Sequence, residues 1–167
     1  MELKTKRLFF AVFMITISTQ INIDILVTDF RVSGGIIAFG IILFFYRNIR
    51  PLVLTVMVSI STFLWRIGIL ALTEGYSFEG INGFIPEIFF YMLFGLVFWI
   101  VSHKNTVEND ERFFLIVMLS DLIANLIEVF IHYLWFGKMI NDYVIVILVG
   151  VAVLRAGIVW LSIKGFR

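Results

Sequence analysis

The 167-residue chain contains no cysteine, two prolines and only 15% charged residues. Without cysteine there can be no disulfide, thiolate metal site or thiol nucleophile. The shortage of charge, set against 61% apolar residues, excludes the composition of a soluble domain. No segment alternates apolar and polar residues at every second position, as the strands of a membrane barrel must. Packed helices, which satisfy their own backbone groups, are the remaining way to live in a bilayer. The net charge of +1 gives nucleic-acid binding no support. A P-loop, a nucleotide-binding glycine motif, an HExxH pair and a plausible Ser/His/Asp set are all missing, so no enzyme activity and no cofactor is expected. Metal is not expected either, because His132 has no second His or Cys near it to complete a ligand set.

What the chain does have is long apolar runs. Hydropathy places six candidate spans at about 8–23, 32–46, 51–72, 86–101, 112–136 and 141–163. The fold class expected is all-α: a polytopic membrane bundle of about six helices, forming one transmembrane domain over residues 1–167 with both termini cytoplasmic. The second span is the weakest, because Val32, Ser33, Gly34 and Gly35 start it poorly; five spans plus a re-entrant piece is the alternative. Met1 to Arg7, with Lys4, Lys6 and Arg7, resembles the start of a signal peptide, but no small-x-small cleavage site follows, so the first span reads as uncleaved. Pro51 and Pro86 stand at the first turns of spans three and four, where a missing N–H costs nothing. Arg47 to Arg50 is a tight turn, whereas Thr73 to Ile85, with Gly75, Gly80 and Gly83, is a longer loop.

Orientation follows from the basic residues. Lys4, Lys6, Arg7, Arg47, Arg50, Lys104, Arg112, Lys164 and Arg167 fall on one side, and only Arg31 and Lys138 on the other. The first side is therefore cytoplasmic. The outer loops carry Asp24, Asp29, Glu74, Glu79, Glu87 and Asp142 instead.

Inside the fifth span, Asp121, Asn125, Glu128 and His132 recur at i, i+4, i+7 and i+11, which places them on one helical face. An ionisable group in hydrocarbon costs about 2.5–3.5 kcal/mol even on lenient insertion scales, so it persists only where it faces protein, water or a ligand. At about 1.5 Å of rise per residue, Arg66 and Glu128 share a depth in the outer half, and Asp121 and Arg155 share one in the inner half. Two ion pairs are thus expected: Arg66 with Glu128, and Asp121 with Arg155. The deeper one reads as structural. The outer group of Arg66, Glu87, Glu128 and His132 reads as ligand-binding, although for Glu87 taken alone the first reading is a cap on the helix that Pro86 starts. Phe89, Phe90, Tyr91, Tyr133, Trp135 and Trp65 supply aromatic bulk, either as an interfacial belt or as the walls of a pocket for a planar organic ligand. His103, in Ser102-His103-Lys104-Asn105, lacks the acidic residue and downstream proline of a phospho-acceptor box and reads as a solvated loop residue.

The Arg-Asn-Ile-Arg-Pro turn at 47–51, Phe-Leu-Trp-Arg at 63–66, Ile-Pro-Glu-Ile-Phe-Phe-Tyr at 85–91 and the Asp121/Glu128 stripe give the chain a family likeness. It resembles the N-terminal multi-span membrane sensor region of clostridial-type sensor histidine kinases, which is itself similar to Lyt-type sensors and, in overall fold, to the S-components of energy-coupling-factor transporters. The resemblance implies a sensory input module in the bacterial inner (cytoplasmic) membrane that detects a small molecule or envelope signal. Its partners would be the lipid bilayer and a cytoplasmic kinase region beyond Arg167 or on a separate subunit. The rival reading is a substrate-binding S-component of a vitamin importer. S-components typically carry alanines four apart in the first helix, and here Ala11 is followed by Ile15. Gly150, Ala152, Ala156 and Gly157 in the last span suit either close packing within the bundle or a homodimer.

Overall fold

A computed structural model describes residues 2–24, 31–46, 48–73, 75, 78–104, 110–136 and 142–166. The loop charges Asp29, Arg47, Glu74, Lys138 and Arg167 lie outside these residues. So do the side chains of Lys4, Asp24, Arg31, Glu79, His103, Lys104, His132, Trp135 and Asp142, whose backbone alone is described.

The described elements are α1 (Glu2–Ser18), β1 (Asn22–Asp24), β2 (Arg31–Ser33), α2 (Gly35–Phe45), α3 (Pro51–Thr73), the short α4 (Phe78–Asn82), α5 (Ile85–Lys104), α6 (Asp110–Phe136) and α7 (Asp142–Gly165). Four helical stretches are long and apolar enough to cross a membrane: Pro51–Thr73, Gly80–Ser102, Asp110–Ile131 and Tyr143–Gly165. The chain is a multi-pass membrane protein. Pro51 opens α3 and Pro86 is the second residue of α5, so both prolines sit where the first turn needs no donor.

The first two helices do not follow the apolar runs at 8–23 and 32–46: α1 starts earlier and ends earlier than the first, and α2 is shorter than the second. α1 stops at Ser18, and the chain turns through Thr19 and Gln20 into β1, which pairs antiparallel with β2: Asn22 opposite Ser33, Ile23 opposite Val32, Asp24 opposite Arg31. The Gly34 N–H closes the ribbon on the Ile21 carbonyl at 2.9 Å. Val32 and Ser33, read as a poor helix start, are thus strand, and α2 keeps only 11 residues. At about 1.5 Å per residue this is roughly half the thickness of a bilayer core.

The helices close into a ring. α1 packs against α3, α3 against α5, α5 against α6, α6 against α7, α7 against α2, and α2 against α1. The ring has a filled centre at the end that carries α1's N-terminus and α7's C-terminus, called here the terminal end. Phe39 of α2 meets Phe94 of α5 edge-on at 5.2 Å, Phe94 stacks on Phe98, Phe98 meets Phe113 of α6 at 5.9 Å, and Phe113 meets Phe44 of α2 at 5.2 Å. Edge-to-face pairs add about 0.5–1.5 kcal/mol each beyond simple burial. Lipid is as apolar as the core, so such packing, more than hydrophobic collapse, holds the helices together. At Gly95 a Cβ would fall on the Thr55 side chain, so glycine is what lets α5 and α3 approach.

Candidate functional site

The stripe on α6 faces the bundle. Phe113, Ile116, Val117, Ser120, Asp121, Ala124 and Asn125 are buried, while Leu115, Leu119, Leu126 and Phe130 on the opposite face are exposed. Glu128 continues the buried stripe and is itself partly buried. Apolar packing on one side and lipid-facing leucines on the other leave the polar groups a single direction in which to point.

Asp121 and Arg155 form the ion pair expected of them. Arg155 Nη1 of α7 donates to Asp121 Oδ1 at 2.9 Å, with the two side chains 2% and 0% exposed. Asn125 Nδ2 donates to the same oxygen at 2.7 Å and also to the Asp121 carbonyl at 2.7 Å, locking the carboxylate to its own helix. One oxygen therefore accepts both donors. Asp121 Oδ2 and Arg155 Nε are buried with no hydrogen-bond partner. Leaving a buried polar atom unpaired costs about 1–3 kcal/mol, more where a charge is involved, so each partner of this pair carries one unsatisfied atom at a cost.

Arg66 pairs differently from the depth-count expectation. Its Nε donates to Glu87 Oε2 at 3.2 Å and its Nη2 to Glu87 Oε1 at 3.3 Å, a fork matched to a carboxylate, and Nη2 also reaches the Thr19 carbonyl at 3.4 Å. Depth alone cannot choose a partner. The ring places α3 beside α5, and α6 on the far side of α5, so Glu87 receives the guanidinium and Glu128 does not. With side chains 17% and 21% exposed, this pair ties α3, α5 and the end of α1 together at the end opposite the termini. Glu87 thus does more than cap its helix.

Glu128 consequently has no hydrogen-bond or ion-pair partner among the described residues. Glu87, Arg155 and Asp121 are the charges near enough to act on it. Tyr91, one turn along α5 from Glu87, is buried and in electrostatic range of Glu87, Arg155 and Glu128. Its hydroxyl lies 3.1 Å from Ser33 Oγ, which in turn accepts the Gly35 N–H at 3.1 Å. A Cβ on Gly35 would sit 2.5 Å from the Tyr91 oxygen, so glycine there makes room for the phenol. His132, four residues beyond Glu128, is placed by its backbone on α6, and its side chain lies outside the described residues.

Glu128 and Tyr91 thus lie within electrostatic range of Glu87 and Arg155, and this set together with Asp121 is called here the polar column; Arg66 joins it through Glu87. Tyr91 and Ser33 were not singled out as site residues from sequence. The signal was present as Glu87-x3-Tyr91-x3-Gly95, a four-residue spacing that lays a carboxylate, a phenol and a glycine along one face of α5. Among the described residues no group of three or more His, Asp or Glu is placed to hold a metal ion. No family model, curated protein or solved structure matches this chain.

Proposed function

We propose that the chain is the membrane sensory input module of a signal-transducing histidine kinase, set in the bacterial cytoplasmic membrane with both termini inside. In this reading a small molecule enters the polar column from the end distal to the termini, and its occupancy is relayed along α7 to a kinase region. One observation carries the reading: a buried ion pair on the polar face of α6 keeps one atom of each partner, Asp121 Oδ2 and Arg155 Nε, without a hydrogen-bond partner, and Arg155 belongs to the last described helix. An ionisable group of this kind in a membrane bundle is a functional-site hypothesis by default. A ligand that fills the edge of Arg155 would stabilise one position of α7 over another, and differential affinity is what drives such a shift.

The importer reading is disfavoured by α1. Ala11 is buried in the bundle, and the exposed face of α1 is built from Phe9, Phe10, Phe13 and Met14, without the small residues a docking helix would present. Thermal unfolding in lipid nanodiscs tests the sensory reading directly, using four pooled panels: amines, carboxylates, neutral polyols and planar aromatics. At least one panel should raise the melting temperature increasingly as its concentration passes the dissociation constant. If none does, the chain is a scaffold whose charges only hold its helices together.

A further inference from the structure

We infer that a cleft between α1 and α3 holds one acyl chain of a bilayer phospholipid, in the leaflet at the end distal to the termini. The cleft has a volume of about 600 Å³, with Phe9 and Phe13 of α1 on one wall and Leu64, Trp65 and Leu72 of α3 on the other. All five side chains are exposed, and α3 is long and apolar enough to cross the membrane. The mouth of the cleft is therefore continuous with the surface that the bundle gives to lipid. Gly68 lies on the α3 wall, where a Cβ would meet nothing within 4 Å. Glycine inside a helix costs about 1 kcal/mol relative to alanine. At Gly95 and Gly35 the missing side chain makes room for Thr55 and Tyr91, whereas at Gly68 it makes room for nothing in the chain.

The walls decide the class of occupant. No charged residue lines the cleft, and its surface is almost wholly apolar. Thr16 contributes to the α1 wall, but its Oγ1 is buried in the protein and offers nothing at the surface of the cleft. A pocket for a polar organic molecule would set a few polar groups converging on it, so this one calls for hydrocarbon. Length and direction identify the hydrocarbon. Because α2 returns the chain to the terminal end, α1 and α3 both run away from that end and form walls of common direction. From Ser61 to Leu72 the α3 wall rises about 16 Å at about 1.5 Å per residue, close to half of a hydrocarbon core about 30 Å thick. Leu72 is the penultimate residue of α3, which sets the cleft in the distal leaflet. Lipid is as apolar as these side chains, so contact area is what distinguishes a seated acyl chain from its neighbours in the bilayer. A seated chain touches α1 and α3 together, where one lying on a single helix face touches that face alone. The site stands apart from the polar column and does not depend on what the column takes.

Trp65 reports on the cleft from its own wall. With Trp99, Trp135 and Trp160 changed to Phe it is the sole indole of the full chain. That protein is reconstituted in phosphatidylcholine brominated on both acyl chains, and bromine quenches indole on contact. It is then transferred to detergent, so that loosely held lipid exchanges away. One phospholipid per chain should remain by native mass spectrometry, and Trp65 should stay quenched relative to a sample prepared from unbrominated lipid. Gly68→Leu fills the cleft from its α3 wall. Since a Cβ there meets nothing, the variant should keep the parent's melting temperature, yet retain no lipid and emit in full. Emission of the parent that recovers completely in detergent shows that only the fluid bilayer touches Trp65, and overturns the assignment whether or not G68L folds. Lipid retention and quenching that persist equally in folded G68L place the lipid elsewhere, and overturn it as well. Either failure leaves the sensory reading standing, because the four panels test that separately.

Discussion

Replacing Asp121 and Arg155 singly and together gives the sharpest energetic prediction. With Asp121 changed to Leu, the Arg155 guanidinium stays buried at 2% exposure, having lost the acceptor that held it at 2.9 Å. Arginine cannot shed its charge. Removing one partner of a buried pair costs about 3–5 kcal/mol, and D121L should reach the upper part of that range. Arg155→Met leaves an acid that can take up a proton and that still accepts from Asn125 Nδ2 at 2.7 Å, so its loss should fall at or below about 3 kcal/mol. The double variant D121L/R155M removes both charges and both unpaired atoms and should lie within about 1 kcal/mol of wild type, since apolar replacements of buried pairs are often neutral or stabilising. The coupling between the two sites should therefore exceed about 3 kcal/mol, more than a hundredfold in the unfolding equilibrium. Reversible unfolding in bicelles by steric trapping measures all four proteins. Single losses that simply add in the double, or a D121L cost under about 1 kcal/mol, would refute the reasoning that these charges are buried and mutually dependent.

Two further outcomes follow from the packing. Gly95→Ala should destabilise the chain by about 1–3 kcal/mol, because its new Cβ falls on Thr55, and Thr55→Ala placed in the same protein should restore most of the loss in the same unfolding assay. Arg66→Gln and Glu87→Gln should each cost about 1 kcal/mol and show coupling in a double-mutant cycle, whereas Arg66 and Glu128 should show none, since the fork joins Arg66 to Glu87.

The long helices were legible because nothing in their sequences competes with their apolar length. Pro51 and Pro86 marked the starts of α3 and α5, and the i, i+4, i+7 recurrence of Asp121, Asn125 and Glu128 marked the inward face of α6. The Asp121–Arg155 pair was legible for a related reason. Rise per residue gives depth, and α6 and α7 follow each other in the chain and pack together. The same depth argument misassigned Arg66, because it carries no information about which helices are neighbours. The ring order, in which α5 separates α3 from α6, is set by contacts such as Gly95 on Thr55 and Phe39 on Phe94, which no single periodicity reveals. The ribbon between α1 and α2 was hidden for another reason. Ile21, Ile23 and Val32 prolong the apolar runs in a hydropathy count, while the turn at Thr19 and Gln20 and the cross-strand pairing send the backbone elsewhere.

The central claim is that occupancy beside Glu128 moves α7. A chain without cysteine accepts a clean spin-label pair at two exposed positions near the terminal end, Val53 on α3 and Leu161 on α7. Pulsed electron spin resonance in nanodiscs then measures the distance between them with and without a saturating concentration of the panel compound that raises the melting temperature. The account predicts a shift of about 1–2 Å or more, the usual scale of a helix displacement in signalling, and its disappearance in E128Q. An unchanged distance distribution in a protein that dialysis shows to be saturated would contradict it.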